Sequence, residues 1–173
     1  IKALSLFREL ASKIHPDNFN RNPIQVYEAM TRSNDIAYCP FAYGYSNYSR
    51  RGYADKVLHF HDMVSLEENG TPLTSTLGGT GLAVSSSSEN IDIAVKYAEF
   101  VASPECQTTL FFENGGQPGH LSSWLDAENN RQSHNYFLNT LPSLQRAFLR
   151  PRYHGHMFFQ DHAGDMVRDY LMQ

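Results

Sequence analysis

The segment Ile91–Ala102 constrains this chain more than any other. Ile91, Ala94, Val95, Ala98, Val101 and Ala102 recur at the three-and-four spacing of one helical face, and Ser103-Pro104-Glu105 then stops that helix and starts the next. Proline cannot continue a helix from its interior, but it suits the first position of a new one, where its missing N–H costs nothing. Ser86 with Glu89 has the spacing of a capping box ahead of the first helix. Leu110, Phe111 and Phe112 are expected to point inward from the second, before Asn114-Gly115-Gly116 ends it.

Helical patterns recur on both sides. Leu4, Phe7, Leu10, Ala11 and Ile14 hold one face of a first helix that His15-Pro16 closes, because a residue before proline avoids helical geometry. Asn22-Pro23-Ile24-Gln25 restarts a helix with a cap, a proline at the first position and a glutamine able to reach back to the cap amide. That helix is expected to run to about Thr31. Phe137, Leu141, Leu144 and Phe148 mark another, which Pro142 kinks or begins. Phe159, Ala163, Met166, Val167, Tyr170 and Leu171 mark a last one, expected to pack back on its own lobe. Three short apolar stretches, Asp35–Cys39, Lys56–His61 and Leu82–Val84, read as strands bounded by proline or glycine. The fold expected is therefore α/β, a mainly helical lobe with a small mixed sheet.

Composition excludes several functions. With 14 basic against 18 acidic residues the net charge is -4, and no basic patch suited to a phosphate backbone is present, so nucleic acid is not an expected partner. Apolar runs reach three or four residues, far short of the ~20 that a membrane helix needs. Cys39 and Cys106 lack the paired spacing of a zinc or redox motif and read as separate thiols, with one disulfide the alternative. No Gly-x-Ser-x-Gly elbow is present, and no catalytic residue or cofactor is expected.

The unusual segment is aromatic. Tyr38, Phe41, Tyr43, Tyr45, Tyr48 and Tyr53 fall among Gly44, Ser46, Asn47 and Ser49. Flat amphipathic rings can lie against the apolar face of a sugar while hydroxyls and amides hold its OH groups, and half the rings are expected in the core and half on a cleft. Gly78-Gly79-Thr80-Gly81 allows close approach of a ligand to bare backbone. No helix pattern follows these glycines directly, which argues against a phosphate loop. Trp124 reads as a core anchor before a platform at the cleft edge.

The order of parts from Leu77 to Gly119 resembles the closing half of the extracellular solute-binding proteins that serve carbohydrate ABC importers. Those proteins show a glycine pair, an apolar strand, a serine-rich turn, an alanine-rich helix, a Ser-Pro-Glu helix and a glycine-rich turn ending in proline. Here these are Gly78-Gly79, Leu82–Val84, Ser85–Ser88, Ile91–Ala102, Ser103–Gln107 and Gly115–Pro118. The resemblance implies a periplasmic-binding-protein-like type II fold, with residues 1–173 supplying a single partial domain, the C-terminal lobe, and the N-terminal lobe absent. It also implies a monomer in the periplasm or outside the cell, lipid-anchored or free, with a sugar and the permease subunits as partners. Ligand contacts are expected from Phe41, Tyr43, Tyr45, Tyr48, Gly78, Gly79, Thr80 and Gln117. Thr80 stands where many sugar-binding relatives carry a tryptophan; its hydroxyl can bond a sugar OH.

Two other readings fit the residues. His59-Phe60-His61 and His154-Gly155-His156 each supply an imidazole pair for a metal-dependent enzyme, although neither has an established ligand spacing. The aromatic loop also suits a protein-interaction module.

Overall fold

The structure, a computed structural model, describes residues 2–173. The chain forms two compact units, one of Ile1–Val26 with Leu149–Gln173 and one of Tyr27–Phe148.

In the first unit, helix α1 (Lys2–Ala11) packs on the last helix, Arg8 placing its guanidinium 5.1 Å from the centre of the Tyr170 ring. After Ala11 the chain tightens to i→i+3 bonds through Lys13 and Ile14, and His15 is extended at ψ 134°, as the following Pro16 requires. A 3-10 turn, Pro16–Asn20, leads to the second helix, α2 (Pro23–Arg32). The expected capping box is present and reciprocal: Gln25 N–H donates to Asn22 Oδ1 at 2.9 Å and Asn22 N–H to Gln25 Oε1 at 2.8 Å.

The second unit holds α3 (Ile91–Ala102), α4 (Pro104–Cys106), α5 (Leu121–Leu125), α6 (Ala127–Gln132) and α7 (Tyr136–Gln145). The last helix, α8 (His156–Met172), belongs to the first unit. Ser103 ends α3 and caps α4, its Oγ accepting the Cys106 N–H at 3.2 Å. Helix α4 continues into a π-helical turn, Gln107–Phe111. Wide turns of this kind leave carbonyls free to bond outside the helix, and here Ser123 Oγ donates to Gln107 O while Asn129 Nδ2 donates to Thr108 O. The Gln107 side chain is buried and doubly used, donating to Val101 O and accepting from Gly119 N–H, both at 2.7 Å.

The core of this unit is aromatic. Phe112, Trp124, Tyr136 and Phe137 are buried together, with Phe60 and Leu141 against them. Trp124 is the anchor expected, 5.2 Å from the Phe137 ring centre, with its Nε1–H donating to Pro118 O at 2.7 Å.

The expected α/β fold with a small mixed sheet is not found: the described residues are mainly helical and form no sheet. Among the described residues the only strand-like pairing is an isolated parallel bridge between Thr76 and Phe148. A strand persists only if its alternate N–H and C=O groups meet a neighbouring strand, and among the described residues no strand pairs with any of the three apolar stretches. In 56–61, Leu58 O accepts from Ser49 Oγ at 2.7 Å and Phe60 O from Asn139 Nδ2 at 3.2 Å, so side chains serve this backbone where a ladder would have. Residues 35–39 and 82–84 are irregular, and Leu82 is exposed.

Two smaller expectations also change. Ser86 and Glu89 do not box the start of α3: Ser85 Oγ accepts from Ser87 N–H and Ser88 Oγ from Asn90 N–H, and Asn90 occupies the cap position. Serines in succession bond backbone two residues ahead, which keeps them in turns and away from the helix end. Of the three residues expected to point inward, Phe112 is fully buried but Leu110 is exposed, because consecutive helical residues turn about 100° apart.

Candidate functional site

The aromatic loop is positioned by three long-range anchors within the second unit. Tyr27, a buried residue of α2, donates its hydroxyl proton to Tyr43 O at 2.8 Å. Gln117 reaches back from the glycine turn, accepting the Ser46 N–H at 2.8 Å and donating to Gly44 O at 3.4 Å. Asn47 Nδ2 donates to Gly115 O at 2.9 Å, so the 3-10 turn Ser46–Ser49 is clamped to the turn that follows the π-helical segment. Gly44 has a strict reason to be glycine: a Cβ there would run into the Tyr136 hydroxyl.

The loop rings then divide by burial. Tyr48 is buried, its ring centre 5.2 Å from that of Tyr27, and its hydroxyl donates to Glu28 Oε1 at 2.9 Å. Tyr45 and Tyr53 lean edge-on against Tyr27 and Tyr48 while leaving part of each ring in solvent. Phe41, Tyr43 and Tyr45 are exposed at 51%, 45% and 40%, each ring held by a loop whose backbone is anchored. Rings of this kind are tied down and still available.

Gly78 is where the glycine segment meets the loop. A Cβ on Gly78 would sit 2.8 Å from the Tyr43 ring, so that ring lies directly on bare backbone. Gly79 and Thr80 are exposed beside it in sequence, and Gly79 has open space where a side chain would be. Tyr43, Gly78 and Gln117 are thus brought together through Gly44 and its neighbours. Tyr48 faces the core and cannot offer its ring to a ligand. Its burial corrects the expectation that it lines a cleft.

The surface is open. One hollow of about 340 Å³ lies at Ser88–Ile93, and another of about 150 Å³ lies among Glu28, Thr31, Arg32, Tyr53, Ala54 and Asp55. Neither is lined by Phe41, Tyr43, Tyr45, Gly78 or Gln117.

Two charged residues of this unit, Arg50 and Asp62, are silent in the sequence. Arg50 lies with its guanidinium carbon 3.8 Å from the Phe112 ring centre, and burial lowers its pKa. Asp62 accepts hydrogen bonds from Arg146 Nη2 at 2.6 Å and Ser143 Oγ at 2.5 Å, which tie the segment after Phe60 to the end of α7. The Arg146 bond chiefly, with those from Ser143 and the Met63 N–H, holds the Asp62 carboxyl below its ordinary range against the opposite pull of burial. Only the aromatic side of Arg50's pairing could have been sought in the sequence, and nothing local marks which ring it chooses.

The histidine pairs do not build a metal centre. His59 stands edge-on to His134 at 5.6 Å, while His156 stands edge-on to Tyr153. Among the described residues no group of three or more His, Cys, Asp or Glu side chains converges. Cys39 and Cys106 are both free thiols, and burial pushes the Cys39 pKa up. Among the described residues no helix is long and apolar enough to cross a membrane.

Burial, and then the bond to Glu28, push the Tyr48 hydroxyl up to about 12, and burial raises Tyr27 and Tyr136 as well. A free tyrosine titrates near 10. The stability these groups contribute is complete below that value and is lost as pH rises through their folded values, whereas the Asp62 contribution is lost as pH falls. Urea midpoints followed by Trp124 fluorescence are therefore expected to hold to about pH 9 and drop above 10, with tyrosinate absorbance rising late. A midpoint unchanged up to pH 12 would show that these hydroxyls are not buried.

Comparison with protein-family models, with curated proteins and with solved structures gave no match.

Proposed function

We propose that this chain is part of the substrate-binding component of an ABC importer, working in the periplasm or at the cell surface, and that its second unit holds a sugar or oligosaccharide on the loop Phe41–Tyr45. The observation that supports this reading is the contact of the Tyr43 ring with the Gly78 backbone, beside a loop that Gln117 ties at Gly44 and Ser46. An exposed ring beside the open side of Gly79 suits a polyhydroxylated ligand: apolar C–H surface stacks on the part of the Tyr43 ring left in solvent, and OH groups pair with amides and carbonyls at its edge. The proposed role is binding and delivery to the permease.

The resemblance implies a second lobe that completes the clasp, so this chain by itself is expected to bind sugars weakly. Saturation-transfer NMR, which detects millimolar affinity, against a panel of mono- and oligosaccharides is the suitable test. Tyr43→Ala or Tyr45→Ala is expected to cost about 1 to 3 kcal/mol of binding, the usual contribution of a stacked ring, with helix content unchanged. A panel without a binder, or a binder indifferent to both substitutions, would remove the loop from the proposed site.

A further inference from the structure

The chain carries two tripeptides of the form Asn-x-Ser/Thr with x other than proline, Asn47-Tyr48-Ser49 and Asn69-Gly70-Thr71, both in the second unit. In a chain exported from the cytosol such a tripeptide can accept an N-linked glycan. The transfer uses the asparagine amide nitrogen as nucleophile with the hydroxyl two residues on beside it, so both side chains must be able to enter a transferase. The fold treats the two tripeptides oppositely.

Asn47-Tyr48-Ser49 is closed. The nitrogen that would attack, Asn47 Nδ2, already donates to Gly115 O at 2.9 Å, and Ser49 Oγ donates to Leu58 O at 2.7 Å. Tyr48 and Ser49 are buried, at 3% and 1% exposure. Presenting this asparagine would mean pulling the 3-10 turn off the glycine turn and drawing the Tyr48 ring away from Tyr27.

Asn69-Gly70-Thr71 is open. It lies at the tip of a loop pinched at its base, where Leu73 N–H donates to Val64 O at 2.8 Å, and turned at Gly70, whose N–H donates to Glu67 O at 3.0 Å. Asn69 is left-handed, with φ 59°, a conformation that asparagine tolerates better than most side chains. The same turn accounts for the middle residue, since a Cβ on Gly70 would lie 2.8 Å from Ser65 Oγ. Asn69 and Thr71 are both exposed, and neither side chain has a hydrogen-bond partner among the described residues. An exposed tip of this kind can be handled by an enzyme without opening the core.

We propose that Asn69 is an acceptor for N-glycosylation and that Asn47, in the folded chain, is not. The donor is an oligosaccharide joined through its anomeric carbon to a lipid pyrophosphate, brought by an oligosaccharyltransferase. Asn69 Nδ2 forms a bond to that carbon, the bond from the carbon to the pyrophosphate oxygen breaks, the lipid pyrophosphate leaves with the electron pair, and the amide proton passes to a base of the enzyme. The proposal takes from the preceding section only a location outside the cytosol. The acceptor reaction involves no sugar binding by the loop, so either reading can fail alone.

The test is incubation of the folded full chain with a purified oligosaccharyltransferase and its lipid-linked donor, read by intact mass and peptide mapping. A mass gain of one glycan is expected, mapped to Asn69, with Asn47 unmodified. Asn69→Gln and Thr71→Ala are each expected to abolish the gain and Thr71→Ser to keep it, while circular dichroism checks that every variant holds its helices. A folded chain that keeps its unmodified mass overturns the proposal. So does a glycan on Asn47, because the bonds to Gly115 and Leu58 would then not close that tripeptide.

Discussion

Phe137→Ala is expected to lower the stability of the second unit by about 3 to 5 kcal/mol, the range for removing a large buried ring. Phe137 is wholly inaccessible and stands edge-on to Phe112 at 5.8 Å, to Trp124 at 5.2 Å and to Tyr136 at 5.2 Å. The cavity cannot close easily, because two of these neighbours are held elsewhere: Trp124 by Pro118 O, and Phe112 by the Arg50 guanidinium on its face. Trp124 is the chain's single tryptophan, so urea unfolding followed by its fluorescence reports on this unit without interference from the other. A loss under about 1 kcal/mol would mean that the ring cluster is not what holds the unit together.

Asn130→Leu is the second large effect, and it works through hydrogen bonds with the volume nearly kept. Asn130 is 2% exposed; its Nδ2 donates to Trp124 O at 2.8 Å and Asp126 O at 2.9 Å, and its Oδ1 accepts the Leu138 N–H at 3.0 Å. Leucine leaves these backbone groups, at the ends of α5, α6 and α7, without that partner. Each buried polar group left unpaired costs about 1 to 3 kcal/mol, so a loss of roughly 3 kcal/mol or more is expected. Gln132→Ala on the exposed side of α6 should stay within about 0.5 kcal/mol. Equal effects for the two substitutions would refute the bridging role of Asn130.

Both residues show how structure and sequence divide the information. Asn130 reads in sequence as one more polar residue in a run from Asp126 to Ser133, because nothing local distinguishes a surface amide from one that joins three helix ends. Phe137 sits in a legible helical pattern, but its partner Phe112 lies in another helix. The aromatic loop was conspicuous, yet its division into a buried Tyr48 and exposed Phe41, Tyr43 and Tyr45 follows from where Tyr27 stands.

The sheet expectation failed for an instructive reason. The apolar residues Val57, Leu58 and Phe60 in 56–61 fit a strand and equally fit an extended segment that inserts Phe60 among rings. What separates the two is whether the backbone meets another strand, and Ser49 and Asn139 meet it here.

The sequence by itself determined where most helices lie and how several of them begin. The signals for that, Asn22 with Gln25, Ser103 before Pro104, and the three-and-four spacing of apolar residues, act over a few residues and need no distant partner. Only the tertiary structure decided that the described residues form no sheet, that Tyr43 lies on Gly78, that Gln117 anchors Ser46, and that Arg146 pairs with Asp62. Those contacts join residues 35 to 84 positions apart, and their energies depend on desolvation and packing that exist only once the chain has closed around them.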